Sequence, residues 1–426
     1  MEQSTIVLKG DICYSKSLGE LTTLEQGFLV CEDSLVAGVY ERLPERFAGA
    51  PLQDFGHQLI IPGLVDLHVH APQYSYRGMH MDLELLDWLN HYTFPEEAKY
   101  TDTDYARKRY PVFVDDLRRS ATTRACIFAT VHVPATEILM DLLERSGLHT
   151  MVGKVNMDRN APDYLCEESA EVSAQETVEW VKDCRKRYRN TKPILTPRFT
   201  PSCTDALMEN LKMIQMRYEL PLQSHLSENL SEIEWVKELC PQAEFYGDAY
   251  DRFGLFGVDC PTVMAHCVYS DEREIRRMKE NGVFIAHCPE SNMNVCSGIA
   301  PVRRFLEEGL RVGLGSDVSG GADLSIFTAM MHAIQASKLR WRLVDESLRP
   351  LSAAEAFYLG TKGGGAFFGK VGSFEPGYEF DAVVLDDSRI ADPREYRIPD
   401  RLERFIYLHQ EQDVKAKYVA GKELQK

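Results

Sequence analysis

The sequence predicts an α/β protein, a (β/α)₈ TIM barrel carrying a small β-sandwich domain formed by its N- and C-terminal segments. Two observations predict it. Eight apolar, β-branched runs alternate with amphipathic helical stretches, the pattern of a parallel sheet covered by helices. Nearly every run also closes on a polar or ionisable residue, and a parallel barrel collects such residues on one rim, where these barrels carry their active sites. The expected division is residues 1–60 plus 369–426 for the small β domain and 61–368 for the barrel.

Taken in order, the first sixty residues read as short strands, Thr5–Leu8, Gly27–Cys31 and Leu35–Tyr40, punctuated by Gly and charged clusters. The barrel runs follow as Leu59–His70, Ala121–His132, Met151–Asp158, Pro193–Thr200, Leu220–Glu228, Thr262–Tyr269, Val283–Asn292 and Arg311–Gly320. Helices are expected between them. Pro134–Ser146 opens on proline and stops at Gly147, and Asp271–Asn281 opens on an acidic turn and stops at Gly282. Glu168–Tyr188 and Thr204–Tyr218 show helical apolar spacing on charged surfaces. After Phe368 the runs Phe380–Leu385, Phe405–Leu408 and Lys417–Ala420 read as strands that rejoin the N-terminal ones.

Composition narrows the function. Hydrophobic residues make up 44% and charged residues 27%, ordinary for a globular chain. A formal net charge of -17 repels phosphate backbones and anionic bilayers, so neither nucleic acid nor membrane is an expected partner. No apolar stretch reaches membrane-spanning length. Met1–Gly10 has no basic, apolar, small-residue succession of a leader, and the eleven cysteines are scattered with no C-x-x-C pair. A reduced, cytoplasmic setting is expected.

The chemistry lies at the run ends. In His68-Val69-His70 the residues i and i+2 share a strand face, so both imidazoles can reach one ion. H-x-H alone is a modest signal, and a structural pair is the bland alternative. His225 closes the fifth run, His266 the sixth and Asp317 the eighth. Imidazoles with a carboxylate suit Zn²⁺, with Fe²⁺ as the alternative. Asp66 reads either as an outer partner that fixes an imidazole tautomer or as an ordinary strand residue.

The strings PGLVDLHVHAPQ (62–73), GKVNMD (153–158), TPRFTPSC (196–203), QSHLSEN (223–229), AHCPESN (286–292) and VGLGSDVSGG (312–321) resemble the amidohydrolase superfamily, and within it the guanine-deaminating branch. Ser316, where threonine is expected, is a minor departure. The resemblance implies that His68, His70, His225 and Asp317 hold one zinc per chain and that His266 stands beside the attacking water. Glu228 would protonate the base, and Asp317 would take the water's proton. Water activated by the ion would replace the amino group at C2 of guanine, giving xanthine and ammonia. A homodimer is implied as well.

Gln73, Arg198, Phe199 and Glu228 are the expected substrate contacts. A guanidinium fork matches the two acceptors of the O6/N7 edge, and Gln73 offers donor and acceptor near H-x-H. The bland alternatives are a rim carboxylate paired to Arg198, a core role for Phe199, and a helix-start carboxylate for Glu228. Tyr74–Phe94 reads as a lid or a dimer contact. His132 and His287 are expected to hydrogen-bond around the site.

Three other functions compete. A two-metal ring hydrolase would need Lys154 carboxylated, but Lys154 lies early in its run and is expected to be structural. An aminohydrolase of another purine, pyrimidine or triazine would differ at the Arg198–Phe199 pair. A non-enzymatic scaffold would lack ligands, and none is missing. The H-x-E…P-C-x-x-C zinc deaminases do not fit, because Cys288 and Cys296 lack that spacing.

Overall fold

The structure is a computed structural model that describes residues 5–424; the few outermost residues of the expected small domain fall outside this range. Each of the eight apolar runs contributes residues to a parallel strand. Leu64–His70, Thr122–Phe128, His149–Gly153 and Thr191–Pro193 make one parallel sheet in chain order. Leu222–Leu226, Thr262–His266, Phe284–His287 and Arg311–Leu314 make a second, again in chain order.

Backbone hydrogen bonds connect the two sheets at both margins. At one, Leu195 N–H donates to Pro221 O and Gln223 N–H to Leu195 O, each at 2.9 Å. At the other, Asp317 N–H donates to His68 O at 2.8 Å and His70 N–H to Val318 O at 2.9 Å. The domain is of the TIM-barrel type. Leu64–His70 is buried along its whole length, as a parallel strand covered on both faces should be.

Helix ends follow the local chemistry. Asp271 accepts from Arg273 N–H and Glu274 N–H at 2.9 Å each, starting helix Glu272–Asn281, which stops at Gly282 with φ +69°. Helix Val133–Ser146 likewise stops at Gly147, φ +79°.

The run Leu59–His70 is not one strand. Leu52–Pro62 joins a separate sheet formed with the chain ends, and Leu64–His70 the first parallel sheet. The chain changes sheets at Pro62-Gly63, where Gly63 N–H turns to Asp381 O at 3.1 Å and Leu64 N–H to Ala121 O at 3.0 Å. A Cβ on Gly63 would collide with the Thr123 side chain, so only glycine permits this crossing.

The chain ends meet in a seven-stranded sheet. Its order is Lys422–Glu423, Val414–Val419, Ala382–Leu385, Leu52–Pro62, Thr5–Ser17, Glu20–Glu32 and Leu35–Tyr40. One face gathers Leu8, Leu29, Ile60 and Tyr418 into a local core, while Cys13, Leu59 and Val383 join the main core. The expected strand Phe405–Leu408 is instead the end of helix Ile398–Leu408. Pro399 sits in its first turn, and Ile398, Leu402, Phe405 and Ile406 bury one face at helical spacing. Arg124, on strand Thr122–Phe128, donates Nε and Nη2 to the buried Asp381 carboxylate at 2.6 and 2.9 Å. Among the described residues no helix is long and apolar enough to cross a membrane, and the eleven cysteines are all unpaired.

Candidate active site

Period-two alternation delivers His68 and His70 to the same face of their strand, and the neighbouring strands bring up His225 and Asp317. His70 Nε2 lies 3.2 Å from His68 Nε2 and 3.3 Å from His225 Nε2. Asp317 Oδ1 lies 3.1 Å from His68 Nε2 and 3.4 Å from His70 Nε2. Four donor atoms this close, none with an intervening protein group, fit one cation. The edges of a tetrahedron about 2 Å from its centre are about 3.3 Å. Two overlapping sets could hold an ion, His68–His70–His225 and His68–His266–Cys288–Asp317. The first, completed by Asp317 through its contacts to both His68 and His70, has the harder, imidazole-rich chemistry that suits Zn²⁺ or Fe²⁺.

The surroundings prepare these groups. His225 Nδ1 donates to Arg198 O at 2.5 Å, which leaves Nε2 as a lone pair toward the cluster. Burial and the neighbouring imidazoles hold His70 and His225 well below the usual histidine range. Burial alone would raise the Asp317 carboxyl, but His68, His266 and His70 outweigh it and keep Asp317 ionised. Gly315 lets the last strand approach; a Cβ there would come within 2.9 Å of His68 Cβ and Cys288 Sγ. Ser227, His266, Cys267 and Asp317 all sit at φ between +46° and +75°, so the turns beside the cluster hold non-glycine residues in left-handed backbone.

Asp66 does not touch an imidazole. Its carboxylate accepts from His68 N–H at 3.1 Å, Ser316 N–H at 3.0 Å and Ser316 Oγ at 2.5 Å, tying the first strand to the last. Burial raises its carboxyl to about 6 against those hydrogen bonds. Ser316 supplies the hydroxyl that threonine would have.

His266 Nδ1 faces Asn292 Oδ1 at 2.9 Å, and its Nε2 lies 3.4 Å from Glu228 Oε2 and 3.7 Å from Asp317 Oδ2. Glu228 precedes the helix Leu230–Leu239 and accepts from Ser297 Oγ at 3.4 Å. Burial and the nearby Asp317 push its carboxyl well above the usual range. The helix-start role belongs to Glu232, whose Oε2 accepts from Glu228 N–H at 3.0 Å and Asn229 N–H at 3.3 Å.

One cavity gathers these parts. His70, His225, His266 and Asp317 line it together with Gln73, Arg198, Phe199 and Glu228. Leu85, Trp88 and Leu89 line it too, so the Tyr74–Phe94 segment borders the site. Phe199 meets Trp235 edge-on, with centroids 6.0 Å apart. Arg198 is paired to a carboxylate, as the bland alternative held, and also faces the cavity: Nη1 donates to Glu97 Oε2 at 2.6 Å.

Asp158, His132 and His287, which also lie toward the ends of their runs, do not line this cavity. Asp158 accepts from Thr204 N–H and Oγ at 2.7 and 2.5 Å. His132 Nε2 and His287 Nδ1 are buried without a hydrogen-bond partner, contrary to the expected bonding around the site. Lys154 is fully buried against Glu167 and Ser173, in keeping with a structural role. A larger cavity of about 590 Å³ opens elsewhere, near Phe405, His409 and Lys417. No group of metal-capable side chains assembles there among the described residues, and the Lys417 amine is spent on Leu117 O, Ser120 O and Thr122 O.

Sequence reasoning missed Glu97 and Glu232. Both are buried acids. Glu97 acts through tertiary contacts, and nothing in Phe94-Pro95-Glu96-Glu97 separates it from a first-turn acid on a short helix, whereas Glu232 stands three residues after Asn229, a capping-box spacing that could have found it.

The amidohydrolase family model matches residues 59–424. Guanine deaminase of Mus musculus is 39% identical over 383 residues, covering 86% of this chain and 83% of that protein. Guanine deaminase of Escherichia coli K12 is 37% identical over 343 residues, covering 79% and 74%. The crystal structure of guanine deaminase from C. acetobutylicum, with guanine bound in its active site, superposes with a TM-score of 0.96 at 47% identity over 99% of this chain and 100% of that one.

Proposed function

The chain belongs to the amidohydrolase family, and from that premise we propose that it hydrolyses guanine to xanthine and ammonia. The observation that carries the reading is one buried cavity in which a His/Asp cluster fit for a cation adjoins an acid, Glu228, and a guanidinium, Arg198. The substrate is that of the guanine-bound relative at 47% identity.

His68, His70, His225 and Asp317 would hold one Zn²⁺, with Fe²⁺ the alternative. A bound ion lowers the pKa of water from about 15.7 toward about 7, making a nucleophile available at neutral pH. The remaining work is done by side chains. Arg198 and Gln73 hold the O6 side of the base, and Phe199 and Trp88 border the ring and exclude water. Glu228 delivers a proton to N3 as water attacks C2. Asp317 Oδ2 receives the water's proton, with His266 Nε2 3.7 Å away to steady it, and returns it to the departing amino group. Water supplies the oxygen of the new C2 carbonyl; its second proton passes to Glu228, restoring the acid, as the amino group leaves as ammonia.

The fold assignment extends in the same way. The two parallel sheets and their marginal hydrogen bonds support one closed (β/α)₈ barrel over residues 61–368. The local core of Leu8, Leu29, Ile60 and Tyr418 supports a sandwich-like β domain over 1–60 plus 369–426. We assign the enzyme to the cytoplasm as a homodimer, on the kinship with the guanine-deaminating branch. Ammonia release from guanine, adenine, cytosine and a triazine tests the activity. Guanine should lead, and faster release from adenine or cytosine would retire the assignment.

A further inference from the structure

Glu97 sits behind the wall that reads the base. Its Oε1 accepts from Gln73 Nε2 at 2.9 Å, and its Oε2 from Arg198 Nη1 at 2.6 Å. All three side chains are buried. On the other side of Gln73, Ser319 N–H donates to Oε1 at 3.2 Å. A carboxylate can only accept and a backbone N–H can only donate, so the Gln73 amide has one orientation. Its remaining N–H is what it can offer the cavity. Arg198 has no acceptor, and its guanidinium is set over the Phe94 ring at 5.0 Å.

We infer that Glu97 is a positioning residue that makes this wall donor-only, and so sets the preference for a 6-oxo over a 6-amino purine without touching the base. An amide free to rotate could meet either substituent; this one cannot. Against a 6-amino group the wall opposes donor to donor, leaving buried N–H groups unmatched. The inference rests on the reading of the site as guanine-binding.

The test compares kcat/KM for guanine and 2,6-diaminopurine, which share the C2 amino group and differ at C6. Glu97→Gln keeps the shape of the side chain but can meet Gln73 in either orientation. The guanine preference should narrow by about tenfold or more, the scale of one good hydrogen-bonded discrimination, with ion content unchanged. Gln73→Met should narrow it similarly, and the double variant should add little to the larger single effect.

Equal loss on both substrates, leaving the ratio intact, would mean Glu97 is merely structural and would overturn the inference. Should Glu97→Gln fail to fold, a folded Gln73→Met enzyme with the wild-type ratio overturns it equally. A wild-type enzyme with no guanine preference overturns the parent reading and this inference together, whereas a guanine-preferring wild type with an unmoved variant ratio overturns this one alone.

Discussion

The Nδ1 of His225 donates to the carbonyl oxygen of Arg198 across 2.5 Å, so a metal-facing imidazole is aimed by the backbone of the residue proposed to grip the base. The same bond fixes the tautomer that leaves Nε2 free, 3.3 Å from His70 Nε2. The proposed ion site and the proposed base site are therefore linked by one hydrogen bond between neighbouring strand ends.

The first expectation concerns the ion. Purified enzyme should carry one tightly held ion per chain by elemental analysis. His225→Ala or Asp317→Ala should lose the ion along with activity, because each removes one of the converging donor atoms. Two stoichiometric ions would defeat the mononuclear assignment and return attention to Lys154.

Glu228→Gln separates ion binding from proton delivery. The amide keeps the shape but has no acid proton, so turnover should fall by roughly 10²–10⁴-fold, the usual range for general acid–base assistance. The ion should stay, since Glu228 reaches His266 rather than the His68–His70–His225 cluster. Near-normal turnover in this variant would remove Glu228 from the proposed chemistry.

Much of this site was legible because it obeys strand geometry: His68 and His70 share a face by alternation, and parallel strands put His225, His266 and Asp317 at one end. The helix stops at Gly147 and Gly282 were legible for the same local reason. What escaped was decided by tertiary contacts. Phe405–Leu408 is a short apolar run whose four residues cannot reveal the helical face that begins at Ile398. His132, Asp158 and His287 share the polar, run-end signature of the cavity residues, yet a run end does not say which way a side chain turns. Asp66 reads either as an imidazole partner or as an ordinary strand residue, whereas its carboxylate spans to Ser316, which is distant in sequence.

Acid stability should report on Glu355. Burial pushes this carboxyl up, but hydrogen bonds from Arg303, Arg349 and Ser352 N–H outweigh it and bring it from 4.5 to about 2. Between those values the unfolded chain binds more protons than the folded one, so this group's contribution is full above about 4.5 and is lost as pH falls toward about 2. Glu355→Gln, which also leaves the buried Arg303 uncompensated, should lower Tm at pH 7 by roughly 3–5 °C. The gap between wild type and variant should close on acidification through that window. A gap that stays constant from pH 7 to pH 3 would show that the carboxylate's charge is not what stabilises the fold there.

The last expectation concerns the shape of the cation at position 198. Arg198 spends Nη1 on Glu97 and still lines the cavity, so a single planar group must serve the internal carboxylate and the base together. Lysine could satisfy one of these with its compact charge but cannot present the planar fork to both. If its ammonium stays with Glu97, the O6 side of guanine loses its donor; if it turns to the base, a buried carboxylate is stranded. Either way Arg198→Lys should cut kcat/KM for guanine by roughly tenfold or more, in line with the about 1–3 kcal/mol carried by such a contact. Ion content should hold, because the bond that aims His225 comes from the Arg198 backbone and survives the substitution. Steady-state kinetics paired with elemental analysis decide it. A variant with wild-type kcat/KM would show that Arg198 serves only its pair with Glu97, and the base would then be gripped from elsewhere in the cavity.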